Sequence, residues 1–174
     1  YILKTDDDIA VDFYQLLLKL QRDHSDLQDT ALGYKQIALT PIRDPRSKWF
    51  MSRTVFPPDA YPDFLSGWAW VTSTLAAGRI VSTATTSNMS PYYWIDDLWV
   101  TGNLAAQAGV DIQSLNMFYT VYTEHLECCL EKRAEDYYCD FIVGPTLGRG
   151  DLLESFGELD DRCRRSELCQ RRHW

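Results

Sequence analysis

Three consecutive aspartates, Asp6, Asp7 and Asp8, are the first residues in the sequence whose types suggest chemistry. They follow residues 1–5, a short apolar segment that predicts a strand, so the acids are expected at a strand end. Like charges at this range repel, and a positive partner must offset the repulsion. A hard divalent cation such as Mn²⁺ or Mg²⁺ prefers oxygen ligands and bridges nucleotide phosphates, which makes it the natural partner. The alternative interpretation is an exposed acidic turn that caps the following helix.

A second acidic pair, Asp96 and Asp97, lies in the segment YYWIDDLWVTG. An aspartate in this position fits a general base if its aromatic surroundings raise its pKa toward neutrality. Acids in the first turn of a helix also offset the positive end of the helix dipole. A structural role at a helix start is therefore the alternative for this pair.

A third segment, KWFMSRTVFPPDAYPDFLSGWAWV, concentrates aromatic residues around one glycine. Aromatic faces stack on the C–H edges of sugar rings, so the segment predicts a carbohydrate site, with a tryptophan-rich core as the alternative. Gly67 leaves room for a ligand to approach the backbone. The side chains concerned are Lys48, Trp49, Tyr61, Trp68 and Trp70.

The elements that must position these residues alternate between strands and helices, a pattern typical of an α/β sheet fold. Strands are predicted over residues 1–5, 34–39, 48–55, a segment ending near SGWAWV, 110–115 and 140–143. Helices are predicted over residues 12–22, 73–82 (with Ser73 at or near the N-cap), 97–108 and from 151–156 onward.

The composition excludes some function classes. The 174 residues carry 17 basic and 25 acidic side chains, a net charge of −8, which argues against general nucleic-acid binding. The apolar runs are only a few residues long, so no transmembrane helix is expected within the chain. Because the sequence starts at Tyr1, inside a predicted strand, we expect it to be cut from a longer protein.

All five cysteines follow position 127, and in a chain rich in tyrosine and tryptophan this favours disulfides in a secretory compartment; buried free thiols are the alternative. Cys128 and Cys129 lie on a predicted helix, HLECCLEKR, and neighbouring helical residues point about 100° apart, so only one can face Cys139. The expected bridge is Cys129–Cys139 or Cys128–Cys139. Asn88, in Asn88-Met89-Ser90, fits the N-glycosylation pattern.

Taken together, the three segments resemble the β1,3-galactosyltransferase family, glycosyltransferase family 31, in order and spacing. The matching motifs are KTDDD (residues 4–8), KW (48–49), YPDFLSGWAW (61–70) and IDDLWVTG (95–102), and the resemblance covers residues 1 to about 143. It implies an α/β, GT-A-like glycosyltransferase fold that is incomplete at the N-terminus, with its nucleotide-binding β/α half missing. Residues 1–157 would form the C-terminal part of that domain, and residues 158–174 a charged tail rich in cysteine and arginine.

The resemblance also implies a function. It implies inverting transfer of a hexose or N-acetylhexosamine from a UDP-sugar to a glycan, glycoprotein or glycolipid, forming a β1,3 linkage. The full-length protein would be a type II Golgi membrane protein with a lumenal catalytic domain, anchored by a segment absent from this chain. The 174-residue chain alone is expected to be inactive.

Site roles are carried over from the family position by position. Asp97 matches the catalytic acid, with Asp96 as its neighbour. Asp8 matches a direct ligand of Mn²⁺ (or Mg²⁺), and Asp6 is expected to help hold the metal or the nucleotide ribose. The residues expected to border the nucleotide-sugar and acceptor are Lys4, Asp7, Lys48, Trp49, Gly67, Trp68 and Trp70.

The sequence departs from the family at two places. The family's G-x-G-Y reads Gly67-Trp68-Ala69-Trp70, and the family's later histidine is absent from FIVGPTLG. These departures favour a rival reading, a non-catalytic carbohydrate- or metal-binding domain on the same scaffold.

Overall fold

The structure, a computed structural model, describes residues 1–86, 94–131 and 139–165. The chain divides into two compact units. The first unit comprises Tyr1–Lys4 and Leu27–Leu115, and the second comprises Thr5–Asp26 and Asn116–Trp174. The acid triplet therefore belongs to the second unit, and Asp97 belongs to the first.

The chain mixes strands and helices, as the predicted α/β class requires. The strands are β1 (Ile2–Thr5), β2 (Ile9–Val11), β3 (Thr30–Gln36), β4 (Phe64–Thr72), β5 (Asp111–Ser114) and β6 (Val143–Pro145). The helices are α1 (Phe13–Asp23), α2 (Thr74–Thr86), a π-helix (Leu98–Leu104) continued by α3 (Ala105–Gln107), a 3₁₀ turn (Asn116–Phe118), α4 (Thr123–Glu131) and α5 (Gly150–Arg165).

The first unit is built on a four-stranded mixed sheet in the order β1-β4-β3-β5. β3 pairs antiparallel with β4 and parallel with β5. Helix α2 begins after Ser73, whose hydroxyl oxygen accepts a hydrogen bond from Ala76 N at 3.0 Å, as an N-cap does. One apolar cluster joins the sheet to α2, the π-helix and α3; its buried members are Ala31, Leu65, Ala76, Ile80, Leu104, Ala105 and Val110.

The π-helix packs unusually close to β4. A Cβ added at Gly102 would lie 3.2 Å from the Phe64 Cβ, so the absence of a side chain at Gly102 permits this approach. The buried Thr101 hydroxyl accepts a hydrogen bond from Leu65 N at 2.8 Å and donates one to Asp97 O at 2.7 Å. These contacts hold the middle of the π-helix against the beginning of β4.

The second unit combines an antiparallel pair, β2 with β6, with helices α1, α4 and α5. Asp12 caps α1, since its Oδ1 accepts a hydrogen bond from Gln15 N at 2.7 Å. The core of this unit consists of Ala10, Leu126, Leu130, Cys139, Phe141, Leu152, Phe156, Leu159 and Cys163.

A disulfide joins Cys129 of α4 to Cys139, with their Cα atoms 5.7 Å apart, while Cys128 is an exposed free thiol. The first of the two pairings that the sequence allowed is thereby confirmed. Within the described ranges, no helix combines the length and apolar character that crossing a membrane requires.

Several predicted boundaries differ from the observed ones. Residues 48–55 were predicted as a strand, which is wrong: they form turns, with a single bridge between Phe50 and Ile42. The backbone here forms turn hydrogen bonds, with Ser47 N donating to Asp44 O and Phe50 N donating to Ser47 O, each at 3.0 Å. The strand predicted at 140–143 lies at Val143–Pro145 instead. The helix predicted to begin at 151–156 is α5, Gly150–Arg165.

Candidate functional site

Asp97 lies directly before the π-helix, with both of its carboxylate oxygens held by backbone amides. Leu98 N donates to Oδ1 at 2.9 Å, and Gly67 N on β4 donates to Oδ2 at 3.0 Å. An ionised carboxylate has about four lone-pair positions, so these two bonds leave capacity for a further donor. The side chain is therefore oriented by the fold and still able to accept a proton from a hydroxyl group.

Gly67 lies in an irregular part of β4. Gly33 pairs with Trp70 and Lys35 pairs with Leu65, so the four residues 66–69 of β4 face a single residue, Tyr34, of β3. Such a bulge interrupts the ladder and redirects backbone groups, which is common beside active sites. Here it leaves the Gly67 N–H available to the Asp97 carboxylate instead of to a neighbouring strand.

Lys4 completes the group. Its Nζ donates a hydrogen bond to Gly67 O, and a Cβ built on Gly67 would lie 3.4 Å from Lys4 Nζ and 3.6 Å from Asp97 Oδ2. The missing side chain of Gly67 thus leaves a small space bordered by an ammonium and a carboxylate. The fold thus brings together Lys4, Gly67 and Asp97, which are distant in sequence; their roles in binding and catalysis stay predictions.

Asp97 is half-buried, in contrast to its exposed neighbour Asp96. Burial raises the pKa of the Asp97 carboxyl above its ordinary value, the nearby charge of Asp96 adds to this, and the hydrogen bonds from Leu98 and Gly67 oppose it. Asp96 itself is exposed. A half-buried carboxylate with a raised pKa is a better proton acceptor than a fully solvated one.

The aromatic candidates are distributed over different surroundings. Trp68 stacks on Tyr34, with ring centroids 5.6 Å apart, whereas Trp70 packs against the apolar cluster beneath the sheet. Trp49 is exposed and stacks on Trp94 at 5.8 Å, and Lys48 Nζ lies 4.6 Å from the Trp49 ring centroid. Trp70 thus has a structural role in the core, while Trp49 faces solvent.

The acid triplet is held through its backbone in the second unit. Thr146 donates to Asp8 O from both its amide and its hydroxyl, each at 2.8 Å, just after the pair formed by Ile9 and Pro145. The side chains of Asp6 and Asp7 are exposed, and that of Asp8 is half-buried. The triplet therefore presents carboxylate oxygens on an anchored segment.

These carboxylates fit a hard divalent cation in one specific way. Among the residues that the structure describes, no group of three or more His, Cys, Asp or Glu side chains is arranged to hold a metal ion. Mg²⁺ is usually bound through only one or two carboxylates, with substrate phosphates and waters completing the shell. A divalent cation held by Asp6 and Asp8 would therefore need further ligands, such as phosphate oxygens and waters.

Some contributors to the site were not predicted from the sequence. Trp94 lies in the same aromatic segment as the acidic pair, and its position three residues before Asp97 was an available signal. The contact between Thr146 and Asp8 depends on pairing between distant strands, which no local pattern reveals. Asn88 and the glycosylation pattern around it lie outside the described residues.

Comparisons with known proteins were made over the whole chain. A family model described as galactosyltransferase matches residues 1–116. The beta-1,3-galactosyltransferase 5 of Homo sapiens is 32% identical over 152 residues, covering 84% of this chain and 46% of the relative. The same-named protein of Pan troglodytes is 31% identical over 150 residues, covering 84% of this chain and 48% of the relative.

The beta-1,3-galactosyltransferase 1 of Mus musculus is 37% identical over 84 residues, covering 48% of this chain and 26% of the relative. The chain spans about half the length of the curated beta-1,3-galactosyltransferase 5 relatives that it matches.

Proposed function

The chain belongs to the galactosyltransferase family, and from that premise we propose that the full-length protein transfers a hexose or N-acetylhexosamine from a UDP-sugar to a glycan acceptor. The transfer proceeds with inversion and forms a β1,3 linkage on a glycoprotein or glycolipid. The observation that carries the proposal is the half-buried Asp97 carboxylate, oriented by Gly67 N and Leu98 N.

Asp97 acts as the general base in this proposal. Inversion in a single displacement needs one base on the acceptor hydroxyl and no covalent sugar intermediate. The two backbone donors fix the rotation of the carboxylate, and its raised pKa strengthens it as a proton acceptor. Asp97 therefore takes the proton of the acceptor hydroxyl as that oxygen attacks the anomeric carbon.

Lys4 and Gly67 support this role. The Lys4 ammonium donates to Gly67 O, and the Gly67 amide donates to Asp97 Oδ2. The backbone of Gly67 therefore links the Lys4 ammonium to the Asp97 carboxylate. The space above the Gly67 Cα admits a sugar hydroxyl close to the carboxylate. Lys4 and Gly67 are positioning residues in this scheme.

Asp6 and Asp8 would hold a divalent cation, Mn²⁺ or Mg²⁺, with Asp7 beside them. Such an ion, when bound, supplies positive charge that neutralises the developing charge on the diphosphate leaving group. The Thr146 hydrogen bonds to Asp8 O keep this segment in place while the nucleotide exchanges.

Family membership also supports a GT-A-like fold for the full-length protein. We place the full-length protein in the Golgi membrane, anchored by an N-terminal segment and acting in protein glycosylation from the lumenal side. The Cys129–Cys139 disulfide is consistent with an oxidising compartment of this kind.

A second candidate is a non-catalytic carbohydrate- or metal-binding domain. It is favoured by the absence of the family's later histidine from the segment FIVGPTLG and by the replaced glycine and tyrosine at Ala69 and Trp70. In that case the protein binds sugars but releases no UDP.

A donor screen separates the two candidates. The full-length protein is incubated with UDP-galactose, UDP-N-acetylglucosamine or UDP-N-acetylgalactosamine and Mn²⁺, and UDP release is measured with and without a chelator. We expect release from one donor that stops when the chelator is added. Equal background release in all samples, from a protein that still binds glycans, would favour the non-catalytic domain.

A further inference from the structure

Two indole rings form an exposed stacked pair in the first unit. Trp49 is 48% exposed and Trp94 is 47% exposed, and their rings lie 5.8 Å apart at an interplanar angle of 15°. Lys48 Nζ lies over the Trp49 ring, 4.6 Å from its centroid, and supplies three hydrogen-bond donors beside the pair.

The pair is anchored to the same apolar cluster as the candidate base. Met51, two residues after Trp49, is 1% exposed, and Ile95, directly after Trp94, is 8% exposed. Both pack in one cluster with Leu98, which directly follows Asp97 and is 0% exposed. The indole pair and Asp97 are therefore both positioned by residues of one buried apolar cluster.

The size of the pair restricts what it binds. Trp side chains bury about 150–250 Å² each when fully enclosed, so the two half-exposed rings offer on the order of 200 Å² together. A stable protein interface needs about 800 Å² from each partner. This area suits a single pyranose ring, whose C–H groups can stack on the indole surface that the Trp49–Trp94 contact leaves exposed and whose hydroxyls can reach donors such as Lys48.

We propose that Trp49 and Trp94 form a stacking platform that binds a pyranose ring of the acceptor glycan. The assignment to the acceptor rather than the donor rests on the proposed function. In that proposal Asp97, which is positioned by the same apolar cluster as the two indoles, acts on the acceptor hydroxyl. Trp94 is the new member of the site, and Trp49 is assigned specifically to acceptor binding.

The test measures glycan binding separately from catalysis. Methyl β-galactoside, methyl β-glucoside and methyl β-N-acetylglucosaminide are titrated into the full-length protein by saturation-transfer NMR, and UDP is titrated separately. We expect at least one glycoside to bind, and Trp94→Ala and Trp49→Ala to raise its Kd about five- to tenfold. Trp94→Phe, which keeps an aromatic face, should raise it only about twofold.

The controls are chosen to leave the platform untouched. Val81→Ala removes an exposed apolar side chain from α2 (Val81 is 63% exposed) and should leave glycoside binding unchanged. The Kd for UDP should be the same in all variants. Glycoside binding that depends on Trp94 in a protein that transfers no sugar would support the platform and refute only the proposed function.

Three outcomes overturn the platform: no glycoside binds the wild-type protein, both alanine variants bind as the wild type does, or UDP affinity falls by the same factor as glycoside affinity. Melting temperatures recorded alongside separate a lost platform from a lost fold.

Discussion

Replacing Asp97 by asparagine is expected to lower kcat for sugar transfer by about 10²–10⁴-fold, the usual contribution of a positioned general base. The substitution removes the negative charge that accepts the hydroxyl proton. It also leaves only one carbonyl oxygen for two backbone donors, Leu98 N and Gly67 N. The assay is UDP release and glycan transfer by the full-length protein with saturating donor.

Asp96→Asn is the matched comparison, since it changes the same group one residue away. Asp96 is exposed, so the fold-decrease in kcat caused by Asp96→Asn should be less than a tenth of that caused by Asp97→Asn. Circular dichroism and the melting temperature must remain close to those of the wild type in both variants. Equal activity of wild type and Asp97→Asn would remove the base assignment.

The pH dependence of the wild-type rate follows from the same carboxylate. Burial, aided by Asp96, raises the pKa of Asp97, and only the ionised form accepts a proton. Activity should therefore fall as the pH decreases through this raised pKa, at a pH above the ordinary titration range of aspartate. This decrease in activity at low pH should be absent from the residual activity of Asp97→Asn.

Gly67→Ala is expected to lower kcat by about 10- to 100-fold with little loss of stability, because small displacements beside a catalytic group cost factors of this size. The added Cβ would lie 3.4 Å from Lys4 Nζ and 3.5 Å from Asp97 Cβ, which are ordinary contact distances. The alanine variant keeps the backbone amide that donates to Asp97, but its Cβ fills the space that the acceptor hydroxyl needs. Kinetics and urea unfolding of the full-length protein measure both effects.

Gly78→Ala is the control for the same chemical change elsewhere. Nothing lies within 4 Å of a Cβ at Gly78, which is inside helix α2. It should increase the free energy of unfolding by about 0.5–1 kcal/mol and leave kcat unchanged. Wild-type kinetics in Gly67→Ala would show that the space beside Asp97 is not used.

Local chemistry made part of this molecule predictable. Ser73 follows an apolar strand and precedes a helical pattern, and it caps α2 as its hydroxyl chemistry requires. Cys139 faces only one of two adjacent helical cysteines for geometric reasons, and the bridge forms with Cys129. The convergence of Lys4, Gly67 and Asp97 was accessible only through the family resemblance, since they come from three separate elements.

What the sequence did not reveal depends on long-range contacts. Residues 48–55 include aromatic and β-branched side chains that are typical of strands. In the structure, however, Met51 and the following Phe56 pack in an apolar cluster with Ile95 and Leu98. The bulge of β4 at residues 66–69 comes from a register shift relative to β3, which periodicity along one strand cannot express. The stacking of Trp49 on Trp94 likewise joins residues 45 positions apart.

The anomeric configuration of the transferred sugar tests the central claim most directly. The full-length protein is supplied with Mn²⁺, an α-linked UDP-sugar and a glycoside acceptor, and the product is analysed by proton NMR. A single displacement assisted by Asp97 predicts a β-glycoside, and family membership predicts that the bond forms at the acceptor's 3-hydroxyl. An α-configured product, or no transfer from any donor by a folded protein that binds UDP, would contradict it.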